Sequence, residues 1–262
     1  MTETVRMLAV RMDLAWAEFD YLGDAFRGLS EEWTDSSVTE RQSDGVTYLV
    51  KARPGIVDPM LRVRTGTFIH HVRATLDNLA WGLATKVKRE PGKVSFPIER
   101  SPRAFRATKW VRVLGTAAPC VVAAEALQPY EHPDARCLLV LNDLWNQDKH
   151  RAAAVLPVVP TRAVVIRKTH ETEPSFTPYW PRRSKTVKKD QVLGKFVMPP
   201  DHNEPPKGGL VLQPVLNVRG PLNGRLLPDA LFQMYEFVHH EVMPVLVPFL
   251  QLRAHRAAPK RP

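Results

Sequence analysis

Apolar residues recur at helical spacing in two long stretches of the chain. From Val5 they follow one another at steps of three or four residues, at Leu8, Met12, Trp16, Phe19, Leu22 and Phe26. This pattern predicts an amphipathic helix that reaches about Arg27 and contributes to the core. Asp58-Pro59 is a helix-start signal, with Asp58 as N-cap, and the helical pattern after it runs to about Lys88 before Pro91-Gly92.

Further helix signals follow. Ser101-Pro102 predicts a short helix, and another is expected from about Thr116 to Leu127. Asp134 is the expected cap of a helix that ends near His150 and is apolar on every side. A last helix is expected over residues 228–256, kinked by two internal prolines, Pro244 and Pro248.

The remaining patterns are typical of strands and turns. Residues 36–53 predict a hairpin, because Ser43-Asp44-Gly45 is a turn signal before a β-rich run. Strands are also expected at 155–159, 163–166 and 209–218. The stretch 171–208 holds seven prolines and many cations, which favours a long loop or insertion.

These elements predict an α+β fold that is mainly α, a helical bundle with a small antiparallel sheet or hairpin. The chain of 262 residues is long enough for one large domain. Within it we expect a helical core at 1–151, strands and a basic proline-rich insertion at 152–220, and the C-terminal helix.

Charge changes the picture by favouring a polyanionic partner. There are 37 Lys and Arg against 27 Asp and Glu, a net charge of +10. From Arg162 to Arg219 there are 11 basic and 5 acidic residues, so the excess is expected mainly in the second half. RNA or another polyanion is therefore the expected partner, with a homodimer left open.

Other classes of protein fit the sequence less well. Charged residues interrupt the first 20 positions, which argues against a signal peptide or membrane span and predicts a cytoplasmic protein. Cys120 and Cys137 lie in apolar stretches without the spacing of a zinc site, so both are expected to be buried thiols. His239 and His240 are adjacent and should point about 100° apart on a helix, which argues against a shared ion. No metal and no cofactor are expected.

Two helices carry candidate chemistry. His70, Arg73, Asp77 and Trp81 share one helix face, which is either an ordinary solvated stripe or, as a tryptophan within it suggests, a partly covered groove. On the later helix, Asn142 and Asn146 are expected to be buried or half-buried.

Asp148, Lys149, His150 and Arg151 follow at the end of that helix. Positive charge at a helix C-terminus is favourable in itself. The alternative is a histidine with a lowered pKa between phosphate-binding cations, the equipment of a metal-independent ribonuclease.

The basic segment offers a second interface. Aromatic and basic side chains alternate there as they do in proteins that bind single-stranded nucleic acid; they are Trp180, Arg182, Arg183, Lys185, Lys188 and Lys189. The alternative is a solvated basic loop.

Four blocks of sequence resemble a family of uncharacterised, largely actinobacterial proteins. The blocks are Gly66 to Trp81, Phe96-Pro97-Ile98, Leu127-Gln128-Pro129-Tyr130 and Asn146 to Arg151, and together they span roughly residues 60–151. No activity follows from this resemblance.

A remoter similarity is to the HEPN superfamily of helical bundles, many of which are metal-independent ribonucleases of toxin and defence systems. Asn146 and His150 match the spacing of its motif, and Asp77 matches its distant acidic residue. Trp145 stands where the motif has arginine, so Arg151 or Arg73 would have to supply the cation. The resemblance implies an endoribonuclease or RNA-binding protein.

In that interpretation His150 is the general acid or base, Arg73, Lys149 and Arg151 stabilise phosphate charge, and Asn146 and Asp77 orient these groups. Asp77 is expected near the residues 149–151. The alternatives are a non-catalytic binding module whose polar residues form a buried network, and an interaction or assembly protein whose charge keeps it soluble.

Overall fold

The computed structural model of the chain describes residues 3–32, 37–52, 59–88, 90–150, 158–165, 175–178, 190–198, 208–214 and 225–252. Helices dominate these residues and strands are the minority, so the predicted α+β, mainly α fold is confirmed. No helix within this part of the chain is both long and apolar enough to cross a membrane.

Helices and strands follow one another in the order α, β, α, β, α along the chain. The helices are α1 Glu3–Glu32, α2 Pro59–Val87, α3 Pro102–Arg106, α4 Lys109–Leu114, α5 Pro119–Ala126, α6 Arg136–His150, α7 Leu227–Glu236 and α8 Met243–Gln251. A 3₁₀ turn at Pro133–Ala135 leads into α6, and a π-helical turn at Phe237–Val242 joins α7 to α8.

The described strands form two antiparallel sheets. They are β1 Ser37–Arg41, β2 Thr47–Ala52, β3 Val158–Val165, β4 Ser175–Pro178, β5 Val192–Val197 and β6 Gly208–Pro214. One sheet has the order β1-β2-β5-β4, and the other pairs β3 with β6.

Helices α1 and α2 pack along most of their length. Leu8 and Met12 of α1 and Phe68 and Leu76 of α2 are essentially inaccessible to solvent. Burying each such side chain stabilises the fold by about 1.5–3 kcal/mol. The close approach also depends on Gly82, because a Cβ there would lie 3.1 Å from Cγ2 of Thr4 and 3.0 Å from Cδ2 of Leu250.

Helix α6 is central, as its apolar sequence predicts. Cys137, Leu138, Val140, Leu141 and Leu144 are at most 3% exposed. Its N-terminus differs from the prediction, because Asp134 belongs to the preceding 3₁₀ turn instead of capping the helix.

Several local signals predicted their elements well. The hairpin β1–β2 has its turn at Asp44, whose Oδ1 accepts hydrogen bonds from the backbone N–H of Val46 and Thr47. Gly45 has a φ of 71°, a left-handed conformation that glycine adopts without strain. Ser101 caps α3 as predicted and accepts from Ala104 N–H.

Four predictions are wrong in part. Helix α4 stands in a stretch for which no helix was predicted, and α5 begins at Pro119 instead of Thr116. The expected break between the strands at 155–159 and 163–166 is bridged by the single strand β3, whose pairing shifts between Pro160 and Arg162. The predicted loop 171–208 contains β4 and β5.

The C-terminal helix is interrupted before its first internal proline. Pro244 has no N–H to donate to the carbonyl four residues earlier, so a regular α-helical ladder would leave that carbonyl unpaired. The π-helical turn at Phe237–Val242 takes up this irregularity.

Candidate functional site

A buried arginine of α2 is at the centre of the candidate site. The Arg73 side chain is 6% exposed. Its Nη2 donates to the carbonyl oxygen of Phe96 at 3.1 Å and lies 2.9 Å from Oδ1 of Asp77. The ion pair forms because residues four apart on a helix face the same way.

Asp77 binds the backbone of the same loop residue, Phe96. Its Oδ1 accepts a hydrogen bond from the backbone N–H of Phe96 at 2.9 Å. Arg73 and Asp77 therefore bind the C=O and the N–H of one residue, as a neighbouring strand would, and they fix the extended segment 93–99 against α2.

Gln128 holds the other end of this segment. Its side chain is completely buried; Oε1 accepts from Glu99 N–H at 3.0 Å, and Nε2 donates to the carbonyls of Pro97 and Ala124 at 3.0 and 3.1 Å. Three of the four sequence blocks, those of Arg73, Phe96 and Gln128, thus meet in one network of buried hydrogen bonds. We call Arg73, Asp77, Gln128 and the backbone that they bind the buried polar network.

A pocket of about 170 Å³ lies beside this network. It is lined by Arg73, by residues 93–99, by Thr108, Lys109 and Trp110 around the start of α4, and by Asn142 of α6. The indole nitrogen of Trp110 donates to Ala80 carbonyl oxygen at 2.9 Å, which fixes α4 against α2. Two of the helices beside the pocket are therefore fixed against each other.

Cations dominate the edge of the pocket and the chain around it. Lys93 and Lys109 line the pocket and are exposed, and Glu99 is the one acidic residue in its lining. Residues 86–112, which we call the basic segment of α3 and α4, contain nine Lys and Arg and two Glu, a net charge of +7. This excess is denser than the one in the second half of the chain.

Five cations of this segment are exposed and have no ion-pair partner among the described residues. They are Lys88, Lys93, Arg103, Lys109 and Arg112. Arg106, in contrast, pairs with Glu125 at 3.1 Å. Unpaired surface cations are available to an external anion.

Burial shifts the pKa of Arg73. Loss of solvent lowers the pKa of its guanidinium, and the charge of Asp77 opposes this shift. An arginine remains protonated at any pH at which proteins are folded. The pocket wall therefore contains a permanent positive charge.

Helices α2 and α6 run in opposite directions where they meet. Arg73 and Asn142 line the same pocket, and the ring of His70 lies 5.1 Å from that of Trp145. Moving three residues back along α2 thus corresponds to moving three residues forward along α6.

This arrangement bears on the predicted partnership of Asp77 with the end of α6. His150 lies five residues beyond Trp145, and Asp77 lies seven residues beyond His70 in the opposite direction. At a rise of about 1.5 Å per residue, their backbones are about 18 Å apart along the helix axes. The register argues against one site containing Asp77 and His150.

The other predicted site residues fall into three groups. Asn146 is exposed, so the expectation that it is buried is wrong, whereas Asn142 is half-buried as expected. Lys149 and His150 belong to the last turn of α6, but their side chains lie outside the described part of the structure. Also outside the described residues are Arg151, Trp180, Arg182, Arg183, Lys185, Lys188 and Lys189.

The polar face of α2 divides between surface and interior. His70 is exposed and Trp81 is 50% exposed, so these two positions match a solvated stripe, and no described element covers the tryptophan. Arg73 is buried and Asp77 half-buried, as a groove requires. The groove is filled by the segment 93–99.

The two cysteines and the adjacent histidines His239 and His240 are not part of the pocket lining. Cys137 is buried, with its pKa raised to about 12 by burial, while Cys120 is only half-buried. Nδ1 of His239 lies 3.3 Å from Nε2 of His240, so the expected divergence of these rings is wrong. Among the described residues no group of three potential metal ligands occurs.

The sequence interpretation missed Lys93, Lys109 and Gln128 as members of a site. A charge count over residues 86–112 would have drawn attention to the two lysines, because this stretch has a net charge of +7. Gln128 is part of a sequence block, but its role depends on contacts with residues about 30 positions away.

Comparison with protein-family models, curated proteins and solved structures finds no match for this chain. The similarity to HEPN proteins therefore stays a prediction, and the function has to be argued from the site.

Proposed function

We propose that this protein binds RNA through the basic segment of α3 and α4 and does not cleave it. One observation carries the proposal: among the described residues, the segment presents five exposed cations without ion-pair partners, two of them at the edge of a pocket with a buried arginine in its wall. RNA offers a regular row of phosphates, and phosphate contacts supply most of the affinity of such interfaces.

The non-catalytic part of the proposal is supported by the buried polar network. Arg73 and Asp77, two of the predicted catalytic residues, are hydrogen-bonded to the backbone of Phe96. Groups engaged in this way stabilise a fold instead of moving protons. A site for general acid–base catalysis would need them within hydrogen-bond reach of His150, which the register of α2 and α6 disfavours.

The proposal retains the finer expectations from sequence that the structure leaves open. It places the protein in the cytoplasm, in the HEPN-like class of helical bundles, with a role in a toxin or defence system. The basic residues between Trp180 and Lys189 would add further phosphate contacts, and homodimerisation would double the binding surface.

The test is RNA binding by the full chain, measured by fluorescence anisotropy with a labelled single-stranded RNA over a range of salt concentrations. Arg103→Gln/Arg112→Gln removes two exposed unpaired cations of the basic segment. The control, Arg6→Gln/Arg225→Gln, removes the same charge from exposed positions on α1 and just before α7. Each lost contact to single-stranded RNA should reduce the salt slope by about 0.7.

We expect the first variant to bind more weakly with a shallower salt dependence, and the control to bind like the wild type. Equal losses in both variants would show that only net charge matters and would refute an interface at α3 and α4. Cleavage of the RNA in the presence of a chelator would instead support the metal-independent ribonuclease, for which α6 brings Asn146 and His150 one turn apart.

A further inference from the structure

We infer that the pocket beside residues 93–99 is a binding site for a single phosphomonoester group, held by Arg73 together with Lys93 and Lys109. If the phosphate group belongs to the end of an RNA, the inference rests on the proposed function. If it belongs to a free nucleotide, the inference is independent of that function. Four features of the pocket lead to it, and each is independent of the total charge of the chain.

The first feature is the incomplete hydrogen bonding of Arg73. A guanidinium has five N–H groups, and Nη2 of Arg73 serves both Phe96 and Asp77. Its Nε and Nη1 are buried and have no hydrogen-bond partner. Buried polar groups are nearly always paired, so the unpaired Nε and Nη1 indicate that an acceptor is missing beside Arg73, which lines the pocket. A phosphate group is such an acceptor, because it accepts bidentate hydrogen bonds from arginine.

The second feature is the placement of the two lysines. Both line the pocket from its exposed side, one in the segment 93–99 and one at the first position of α4. Gly92 allows the amine of Lys109 to approach, because a Cβ at position 92 would lie 3.0 Å from Lys109 Nζ. The backbone there has a φ of +70°, which a residue with a side chain would adopt only with strain.

The third feature is charge. The charge of Arg73 is balanced by Asp77, and Lys93 and Lys109 face one acidic residue of the lining, Glu99. The pocket therefore keeps a positive excess without its ligand. A phosphomonoester carries about −1.5 to −2 charges near neutral pH, which is enough to offset that excess.

The fourth feature is the size and polarity of the space. At about 170 Å³ the pocket is smaller than the roughly 300–1,000 Å³ of sites for drug-sized ligands, so it suits one small polar group of a larger molecule. The hydroxyl of Ser95 and the amide of Asn142 line it, and neither makes a hydrogen bond within the described structure. Both can donate to phosphate oxygens that the cations leave free.

The experiment measures binding of inorganic phosphate, adenosine 5′-monophosphate and adenosine to the full chain by isothermal titration calorimetry. A second arm compares RNAs of one sequence with a 5′-phosphate or a 5′-hydroxyl. The test variant is Lys93→Gln/Lys109→Gln, in which both changed residues are exposed and compatible with the fold. The matched control is Arg6→Gln/Arg225→Gln, which removes the same charge from exposed positions outside both the pocket lining and the basic segment of α3 and α4.

We expect phosphate and the nucleotide to bind the wild type and the control, adenosine to bind neither, and affinity to fall at least about tenfold in the pocket variant, since two charge-assisted hydrogen bonds are lost. Arg73→Gln should abolish binding, but it also removes the hold on Phe96, so circular dichroism must show that it folds. If Arg73→Gln does not fold, the Lys93→Gln/Lys109→Gln variant still decides the test.

Three results would overturn the inference: no binding of phosphate or nucleotide at millimolar concentration, equal binding of adenosine, or equal losses in both variants. A preference for 5′-phosphorylated RNA that the pocket variant loses would support the site and identify the RNA end as its ligand. Nucleotide binding without RNA binding would support the site and refute the proposed function. RNA binding without any phosphate or nucleotide binding would support the proposed function and refute the phosphate site.

Discussion

Gln128 holds two separate stretches of backbone with one side chain. It bonds Glu99 and Pro97 of the segment 93–99 and Ala124 at the end of α5. We predict that Gln128→Leu lowers the free energy of unfolding by about 2–4 kcal/mol, because it leaves a backbone N–H and a C=O buried without partners. Urea unfolding followed by circular dichroism measures this directly.

The matched control is Gln251→Leu, at the exposed last position of α8. Its effect should stay within about 0.5 kcal/mol, as for most surface substitutions. A Gln128→Leu protein as stable as the wild type would contradict the structural role that we assign to the buried polar network.

The lowered pKa of His71 should make the stability of the protein depend on pH. Burial, then the positive fields of His70 and Arg11, lower its pKa below 6.5, and Glu18 opposes them. Its Nδ1 is buried without a partner. Since the unfolded chain binds this proton more tightly, the free energy of unfolding should increase as the pH rises from the lowered pKa of the folded state to about 6.5. Acidification through the same range should decrease it.

We therefore expect the wild type to lose melting temperature as the pH is lowered through 6.5, and His71→Gln to lose less over the same range. Thermal unfolding at closely spaced pH values checks this. A larger acid-induced loss in His71→Gln than in the wild type would show that the direction of the shift is wrong.

At the residue level, the sequence allowed only the local half of the site to be predicted. Arg73 and Asp77 share a helix face because they are four residues apart, and that spacing is visible in any helical pattern. Their partner Phe96 lies in an irregular segment, 19 residues beyond Asp77. No periodic pattern records which backbone group a buried side chain will reach.

At the level of elements, the antiparallel contact of α2 with α6 separates the two halves of the predicted catalytic set. We predict that His70→Cys/Asn146→Cys, made in a Cys120→Ser background, is joined rapidly by a short bismaleimide. His70 lies against Trp145, and the adjacent Asn146 is exposed.

The control pair is Trp81→Cys/Asn146→Cys. Trp81 lies 11 residues beyond His70 on α2, about 16 Å away along the helix axis. Both members of this pair are exposed, so accessibility does not distinguish it from the first. Faster joining of the control pair would contradict the register and restore the proximity of Asp77 to the end of α6.

The elements show where local signals suffice. Ser43-Asp44-Gly45 and Ser101-Pro102 predicted the hairpin turn and the start of α3, because turns and caps are decided by adjacent residues. Strand β5 was missed, since it pairs with β2, about 145 residues earlier, and lies in a stretch rich in proline and cations. Helix α4 has only six residues, too few for a periodic pattern to emerge.

For the whole molecule, the distribution of charge matters more than its total. The sequence correctly indicated an excess of cations, but the described structure adds which of them are exposed, unpaired and grouped around a pocket. Exposure and pairing depend on tertiary contacts such as that between Arg106 and Glu125, which a count of residues does not contain.

The most direct test of this account follows binding and integrity of one RNA in the same sample. The full chain is mixed with a fluorescent single-stranded RNA and chelator, anisotropy is recorded over a range of salt concentrations, and the RNA is then analysed by denaturing gel. We predict salt-sensitive binding and intact RNA. Chelator-resistant cleavage that falls by about 10² or more in His150→Ala would contradict a non-catalytic function, as would binding that salt does not affect.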